Sequence, residues 1–128
     1  MHNTHSSLVL LVDDSCVNNV LMQTVLEDKG YTILAVSNGK DALKILRQKL
    51  PDLIILDIMM PEMNGFSVLE SIKNYERTSK IPVIMLTARN NQKDQEKAIS
   101  LGAADYVIKP IDIDDVVARV NQLVNVNV

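Results

Sequence analysis

The sequence predicts an α/β fold, a single parallel β-sheet doubly wound with helices on both faces. Three observations lead there. Short apolar runs alternate with stretches whose apolar residues recur at helical spacing, five of each along the chain. The runs Leu8–Val12 and Leu53–Leu56 are continuously apolar, as strands buried on both faces are, whereas half-exposed strands would alternate. The length, 128 residues, suits one domain with a full core.

Each element has its own signal. Leu8–Val12 is the first strand. The stretch after it carries Val17, Val20, Leu21, Val25 and Leu26 at the spacing of one helix face, and Gly30 supplies the stop. Thr32–Val36 is the second strand. Asn38 is placed to cap a helix whose apolar face is Ala42, Leu43, Ile45 and Leu46, ended before Pro51. Leu53–Leu56 is the third strand, followed by a helix with Phe66, Leu69 and Ile72 and a polar loop through Arg77-Thr78-Ser79-Lys80. Pro82 opens the fourth strand, Val83–Leu86, at a position where a missing amide proton is tolerated. The fourth helix, Gln92–Ser100, is mostly polar; Ala98, Ile99 and Leu101 form its thin apolar face and Gly102 ends it. Asp105–Ile108 is the fifth strand, and Asp112 with Asp115 can cap a last helix whose face is Val116, Val117, Val120 and Val124. The domain is expected over residues 8–124, with a frayed N-terminus (1–7) and a short C-terminal tail (125–128).

Composition narrows the function. An apolar fraction of 47% and a charged fraction of 23% belong to a globular chain, not a disordered one. The net charge of −3 provides no global basic field for nucleic acid. Cys16 stands alone, which excludes an internal disulfide and fits a reducing cytoplasm. Leu8–Val12 has no basic region before it and is too short for a signal-peptide core or a bilayer span, so a cytoplasmic protein without membrane contact is expected. His2 and His5 could hold a surface metal, but their place at a chain end favours a frayed terminus.

In parallel α/β sheets ligands bind beyond the carboxyl ends of the strands. Asp13 and Asp14 follow the first strand, Asp57 the third, Thr87 the fourth and Lys109 the fifth, so all five converge on one edge. Three carboxylates in one pocket repel one another unless a cation offsets them. Mg2+, a hard ion that takes oxygen ligands and keeps several waters, is the natural occupant, with Mn2+ able to substitute. Asp13, Asp14 and Asp57 would supply or orient its shell, with a backbone carbonyl just after Asp57 as a further ligand. Zinc is disfavoured, because no His or Cys has suitable spacing. A metal store would not need Thr87 and Lys109. A phosphoryl group on Asp57 would engage both, and aspartate can act as the nucleophile in such a transfer. Phosphorylation would add about one to one and a half negative charges and pull nearby donors toward the new anion. Those residues point to a switch.

Plainer readings exist one residue at a time. Asp13 or Asp14 can cap the helix starting near Ser15; Asp57 can be a turn residue before Pro61; Thr87 can bond to backbone; Lys109 can be a solvated surface lysine; Tyr106 can be ordinary strand packing. None accounts for the gathering of five such groups at one edge.

Together, Val12-Asp13-Asp14, the run Leu56-Asp57-Ile58-Met59-Met60-Pro61-Glu62-Met63-Asn64-Gly65, Leu86-Thr87-Ala88 and Lys109-Pro110 resemble the receiver domain of bacterial two-component response regulators, of the chemotaxis-regulator-like kind, from about Leu8 to Val124. The resemblance implies a flavodoxin-like three-layer sandwich with sheet order 2-1-3-4-5. It makes Asp57 the phosphoryl acceptor, Asp14 a direct Mg2+ ligand, Asp13 a ligand through water and the Met59 carbonyl the backbone ligand. Thr87 becomes the switch hydroxyl, Lys109 the phosphate-binding lysine and Tyr106 the switch aromatic, whose ring turns inward on activation. The Lys109–Pro110 peptide would be cis. Gly65 is expected to take a backbone conformation that other residues avoid. Met59 and Arg89 would flank the route of a hydrolytic water. Cys16 is disfavoured as a redox group because carboxylates beside it oppose its thiolate.

The partners implied are a histidine kinase or histidine phosphotransfer protein as donor, and a target protein or fused output domain on the face of the fourth helix, fifth strand and fifth helix. The domain would not itself bind nucleic acid. It would not be an enzyme in the ordinary sense, only phosphorylating itself from a phosphodonor and slowly losing the group. The chain ends just past the last helix, as a free-standing receiver would, or one excised from a longer DNA-binding or enzymatic regulator. A Mg2+-dependent aspartyl phosphatase would want a second acid where Met59 stands. A nucleotide binder of the same fold would want an anion loop where Asp13-Asp14-Ser15-Cys16 stands.

Overall fold

The computed structural model describes residues 7–88 and 91–125. His2, His5 and Arg89 lie outside the described residues. Five strands, β1 (Leu8–Val12), β2 (Thr32–Val36), β3 (Leu53–Asp57), β4 (Val83–Thr87) and β5 (Asp105–Ile108), alternate with five helices, α1 (Cys16–Asp28), α2 (Gly39–Leu46), α3 (Gly65–Asn74), α4 (Gln92–Ser100) and α5 (Ile113–Asn125). All strand pairs are parallel and the sheet order is β2-β1-β3-β4-β5, the doubly wound arrangement expected. Chain order reverses at β1, which lies between β2 and β3, and a crevice at the carboxyl ends is the consequence.

Alternate residues of each central strand serve opposite faces. Leu10, Val12, Ile54, Leu56, Val83 and Met85 enter one core, beneath α2, α3 and α4. Val9, Leu11, Leu53, Ile55, Ile84 and Leu86 enter the other, beneath α1 and α5. Burial on both faces explains the unbroken apolar runs. Strands β3 and β4 are each one residue longer than expected, so Asp57 and Thr87 are themselves strand residues.

Local signals account for most boundaries. Asn38 caps α2 by accepting from the Asp41 amide at 2.8 Å, and Gly30 and Gly102 close α1 and α4 at positive φ. Asp112 caps α5 through the amides of Asp114 and Asp115, but the Asp115 side chain does not join it, accepting from Arg119 Nε at 3.0 Å instead. Among the described residues, no helix is long and apolar enough to cross a membrane.

The α1 face is a correction. Val17, Val20 and Leu21, expected in the core, are 75%, 57% and 44% exposed, and the helix instead buries Met22 and Leu26. The inward face runs through Asn18, Asn19 and Met22, with Val25 half-buried beside Leu26. Apolar spacing alone favours the side of Val17, Val20 and Leu21, whereas the side that packs inward carries two asparagines. Ile99 on α4 is likewise exposed; only Ala98 of that helix is buried.

Candidate functional site

Strand register assembles the site. Val12 pairs with Leu56, which sets Asp13 beside Asp57; Asp57 pairs with Leu86, the residue before Thr87; Thr87 pairs with Ile108, the residue before Lys109. Register thus sets Asp57 and Thr87 at the carboxyl edge with Asp13 and Lys109 one residue beyond paired positions, and Asp14 follows Asp13.

Asp57 is fully buried, and its two oxygens differ. Oδ1 accepts from Lys109 Nζ at 2.9 Å and from the Met59 amide at 3.3 Å. Oδ2 has no hydrogen-bond partner among the described residues. Burial pushes the carboxyl up to about 6 and the negative charge of Asp13 adds to the effect, against the pull of Lys109 and the Met59 amide. Carboxylate oxygens of Asp13, Asp14 and Asp57 lie within 4.8 Å of one another, with Asp13 and Asp57 buried and Asp14 exposed. One lysine against three carboxylates leaves the cluster short of positive charge. That deficit, among oxygen donors gathered this closely, is what a hard divalent cation would satisfy, so the donor set fits Mg2+.

Neither acid of the pair caps α1. That role falls to Ser15, whose hydroxyl accepts from the Asn18 amide at 3.2 Å. Asp13 is instead held from both sides: Oδ1 accepts from the Ser15 amide at 2.9 Å and Oδ2 from Asn18 Nδ2 at 3.2 Å. Asn19 Nδ2 ties the Asp13 carbonyl at 2.8 Å to the Val36 carbonyl at 3.3 Å, fastening the loop after β1 to the end of β2. Asn18 and Asn19 are not legible from apolar spacing, which places Val17, Val20 and Leu21 inward and so the asparagines outward. The Ser15 cap followed three and four residues later by two side-chain amides is the signal that identifies them.

Thr87 is buried, and its Oγ1 has no partner among the described residues, so it is not the backbone-bonded threonine of the plainer reading. Lys109 is half-buried, its ammonium on Asp57 rather than in solvent, and the Lys109–Pro110 peptide is cis. The loop after Asp57 corrects one expectation. Its left-handed residue is Glu62, at φ 70°, not Gly65. Gly65 is required by proximity: a Cβ there would stand 2.2 Å from the Asp57 carbonyl oxygen, and its amide donates to the Ile58 carbonyl at 2.8 Å. The Met59 side chain is 66% exposed. Tyr106 touches the core under α4 and also lines a surface groove of about 970 Å³ with Gln95, Ile99 and Ile108.

Comparison with known proteins agrees with this geometry. The family model for the response regulator receiver domain matches residues 9–121. A Vibrio cholerae protein named "Probable cyclic di-GMP phosphodiesterase" is 43% identical over 121 residues, covering 94% of this chain and 27% of that protein. The transcriptional regulatory protein AfsQ1 of Streptomyces coelicolor is 41% identical over 105 residues, covering 82% and 45%. Among solved structures, the chemotaxis response regulator CheY4 of Vibrio cholerae superposes with a TM-score of 0.87 at 25% identity, covering 93% of this chain and 99% of that one. The chain spans less than half the length of these two curated relatives. With its fold, its acidic cluster and its family match in agreement, the chain belongs to the response regulator receiver domain family.

Proposed function

We propose that this chain is a phosphoryl-operated switch in which Asp57 accepts a phosphoryl group from the phosphohistidine of a sensor kinase or histidine phosphotransfer protein. One observation carries the reading: Asp57 ends a buried strand with Oδ1 engaged by Lys109 and Oδ2 unengaged. Oδ2 forms a bond to phosphorus as the P–N bond to the imidazole breaks. The electron pair of that bond returns to the ring nitrogen, which takes up a proton, and Asp57 becomes an acyl phosphate. Lys109 stays within reach to offset charge on the phosphoryl oxygens. Asp13, Asp14 and Asp57, with the Met59 carbonyl, would hold Mg2+ or Mn2+, Asp14 directly and Asp13 through water. The bound ion supplies positive charge that lets an anionic donor approach the carboxylates.

The signal would leave through Thr87 and Tyr106. Thr87 has a hydroxyl to give to the new anion, and its movement opens space for the Tyr106 ring to turn inward. The α4–β5–α5 surface, with Ile99 and Ile108 exposed beside Tyr106, would then change what it binds. A target protein or a fused output domain would read that face; the two curated relatives, named as a regulator of transcription and a phosphodiesterase, favour an output beyond the receiver. The receiver itself would work in the cytoplasm without touching nucleic acid or membrane. The donor would dock beside Asp13 and Asp14, where Val17, Val20 and Leu21 present an apolar surface.

Incubation with phosphoramidate and MgCl2, read by intact mass, tests the acceptor. The protein should gain one phosphoryl group, lost with EDTA and in Asp57→Asn. An equal gain in Asp57→Asn would move the acceptor elsewhere.

A further inference from the structure

A trough unused by the phosphoryl site runs along the seam between α2 and α3. Toward the C-terminal ends of the two helices it encloses about 440 Å³ over Leu43, Leu46, Ile72 and Tyr75. Leu43 and Arg47 also line an adjoining recess of about 310 Å³ that runs past Lys44 and Lys40 to Met63. The two recesses share Leu43 and Arg47 as lining residues and so lie side by side along α2.

Its rim is cationic. Lys40, Lys44 and Arg47 recur at i, i+4 and i+7, and so share one face of α2, and all three are exposed. None is ion-paired among the described residues, although the chain as a whole carries a net charge of −3. Like charges at this spacing repel. Helix electrostatics accounts for Lys44 and Arg47, which stand in or just after the last turn, but not for Lys40, which stands in the first turn at the positive end of the helix dipole. On the opposite side Ser71 and the half-exposed Tyr75 line the trough, and Glu70, which borders the next recess with them, makes no ion pair with the row among the described residues.

We propose that the α2–α3 trough docks an acidic amphipathic helix of a partner protein. Its apolar side lies over Leu43, Leu46 and Tyr75, and its carboxylates, at i, i+4 and i+7, face Lys40, Lys44 and Arg47. An anionic membrane is disfavoured because the apolar residues here are recessed below the cations, whereas membrane-inserting residues project beyond them. Nucleic acid is disfavoured because the floor is aliphatic and offers a single ring for stacking. This inference is independent of the phosphoryl chemistry.

Amide-resolved NMR titration of the full chain tests it. The probes are a Leu/Glu amphipathic helix of roughly 18 residues, about five turns, its Leu/Lys counterpart, a phosphatidylglycerol vesicle and a single-stranded oligonucleotide. The Leu/Glu helix should shift the amides of Lys40–Arg47 and Ser71–Tyr75. The double variant Lys44→Glu/Arg47→Glu, with both changes exposed, should weaken it at least tenfold while Asp57 still takes phosphoryl groups from phosphoramidate. Equal binding of the Leu/Glu and Leu/Lys helices, or none by either, overturns the proposal. So does stronger charge-dependent binding of the vesicle or oligonucleotide, or a shift of the same amides with protein concentration alone, which would assign the trough to a second copy of the chain.

Discussion

Lys109 Nζ sits 2.9 Å from Oδ1 of Asp57, and the other oxygen of that carboxylate is left buried and unengaged. The lysine holds the acceptor ionised against its burial while occupying one oxygen alone. Replacing Lys109 by Gln removes a charge and a charge-assisted hydrogen bond that both lower the Asp57 pKa. The carboxyl should then titrate above its present value of about 6, as read from the Asp57 carboxyl carbon by NMR. An unchanged or lower value would mean that the ion pair does not set the charge of the acceptor.

Stability without divalent ions should depend on pH through Asp57. The folded chain holds this proton more tightly than the unfolded chain, since the pKa rises from 3.8 to about 6. The stabilising contribution is complete below 3.8 and is lost as pH climbs through about 6. Asp57→Asn has no such loss. It should match the parent near about pH 4 and exceed it by about 3 kcal/mol near about pH 8, as measured by urea denaturation in EDTA. A stability gap that widens toward acid would contradict the assigned burial effect.

Asn18 should act on the metal through Asp13. Its amide holds Oδ2 of that buried carboxylate, and losing a group that orients a ligand costs about 10-fold in metal affinity. Asn18→Ala should weaken Mn2+ binding by that factor, read from paramagnetic broadening, while the fold is retained. Undiminished broadening would limit Asn18 to a structural role.

Gly65→Ala should be destabilising. The new methyl group would meet the Asp57 carbonyl oxygen and the Ile58 Cα, both backbone atoms that cannot turn aside. A loss of about 1–3 kcal/mol or more is expected in urea denaturation. A neutral substitution would show that the loop yields freely.

The exposed α1 residues separate docking from chemistry. Val20→Asp and Leu21→Asp change surface positions, so stability should stay within about 0.5 kcal/mol. Phosphorylation by phosphoramidate should be unaffected, while transfer from a phosphohistidine protein slows. Equal slowing with both donors would place the damage in the pocket itself.

The fold and the site were legible for one physical reason. A parallel strand buried on both faces needs an unbroken apolar run, and a polar residue at the end of such a run stands at the functional edge. Leu8–Val12 with Asp13, and Leu53–Leu56 with Asp57, show both halves of that rule. Helix α1 shows its limit. Val17, Val20 and Leu21 have core composition yet stand exposed, and Asn18 and Asn19 turn inward because the Asp13 carboxylate and carbonyl need donors there. Gly65 shows the same limit, required by the Asp57 backbone across a loop and not by its own φ.

The order of residues by itself determined the strands, the winding and the gathering of Asp13, Asp14, Asp57, Thr87 and Lys109 at one edge, because periodicity and strand ends are local properties. Only the tertiary structure decided which side of α1 faces the core and that one oxygen of Asp57 is engaged while the other is not. It also decided that the cations of α2 border an open apolar trough. Those outcomes depend on which distant groups come within hydrogen-bonding or packing distance, and no local pattern encodes that.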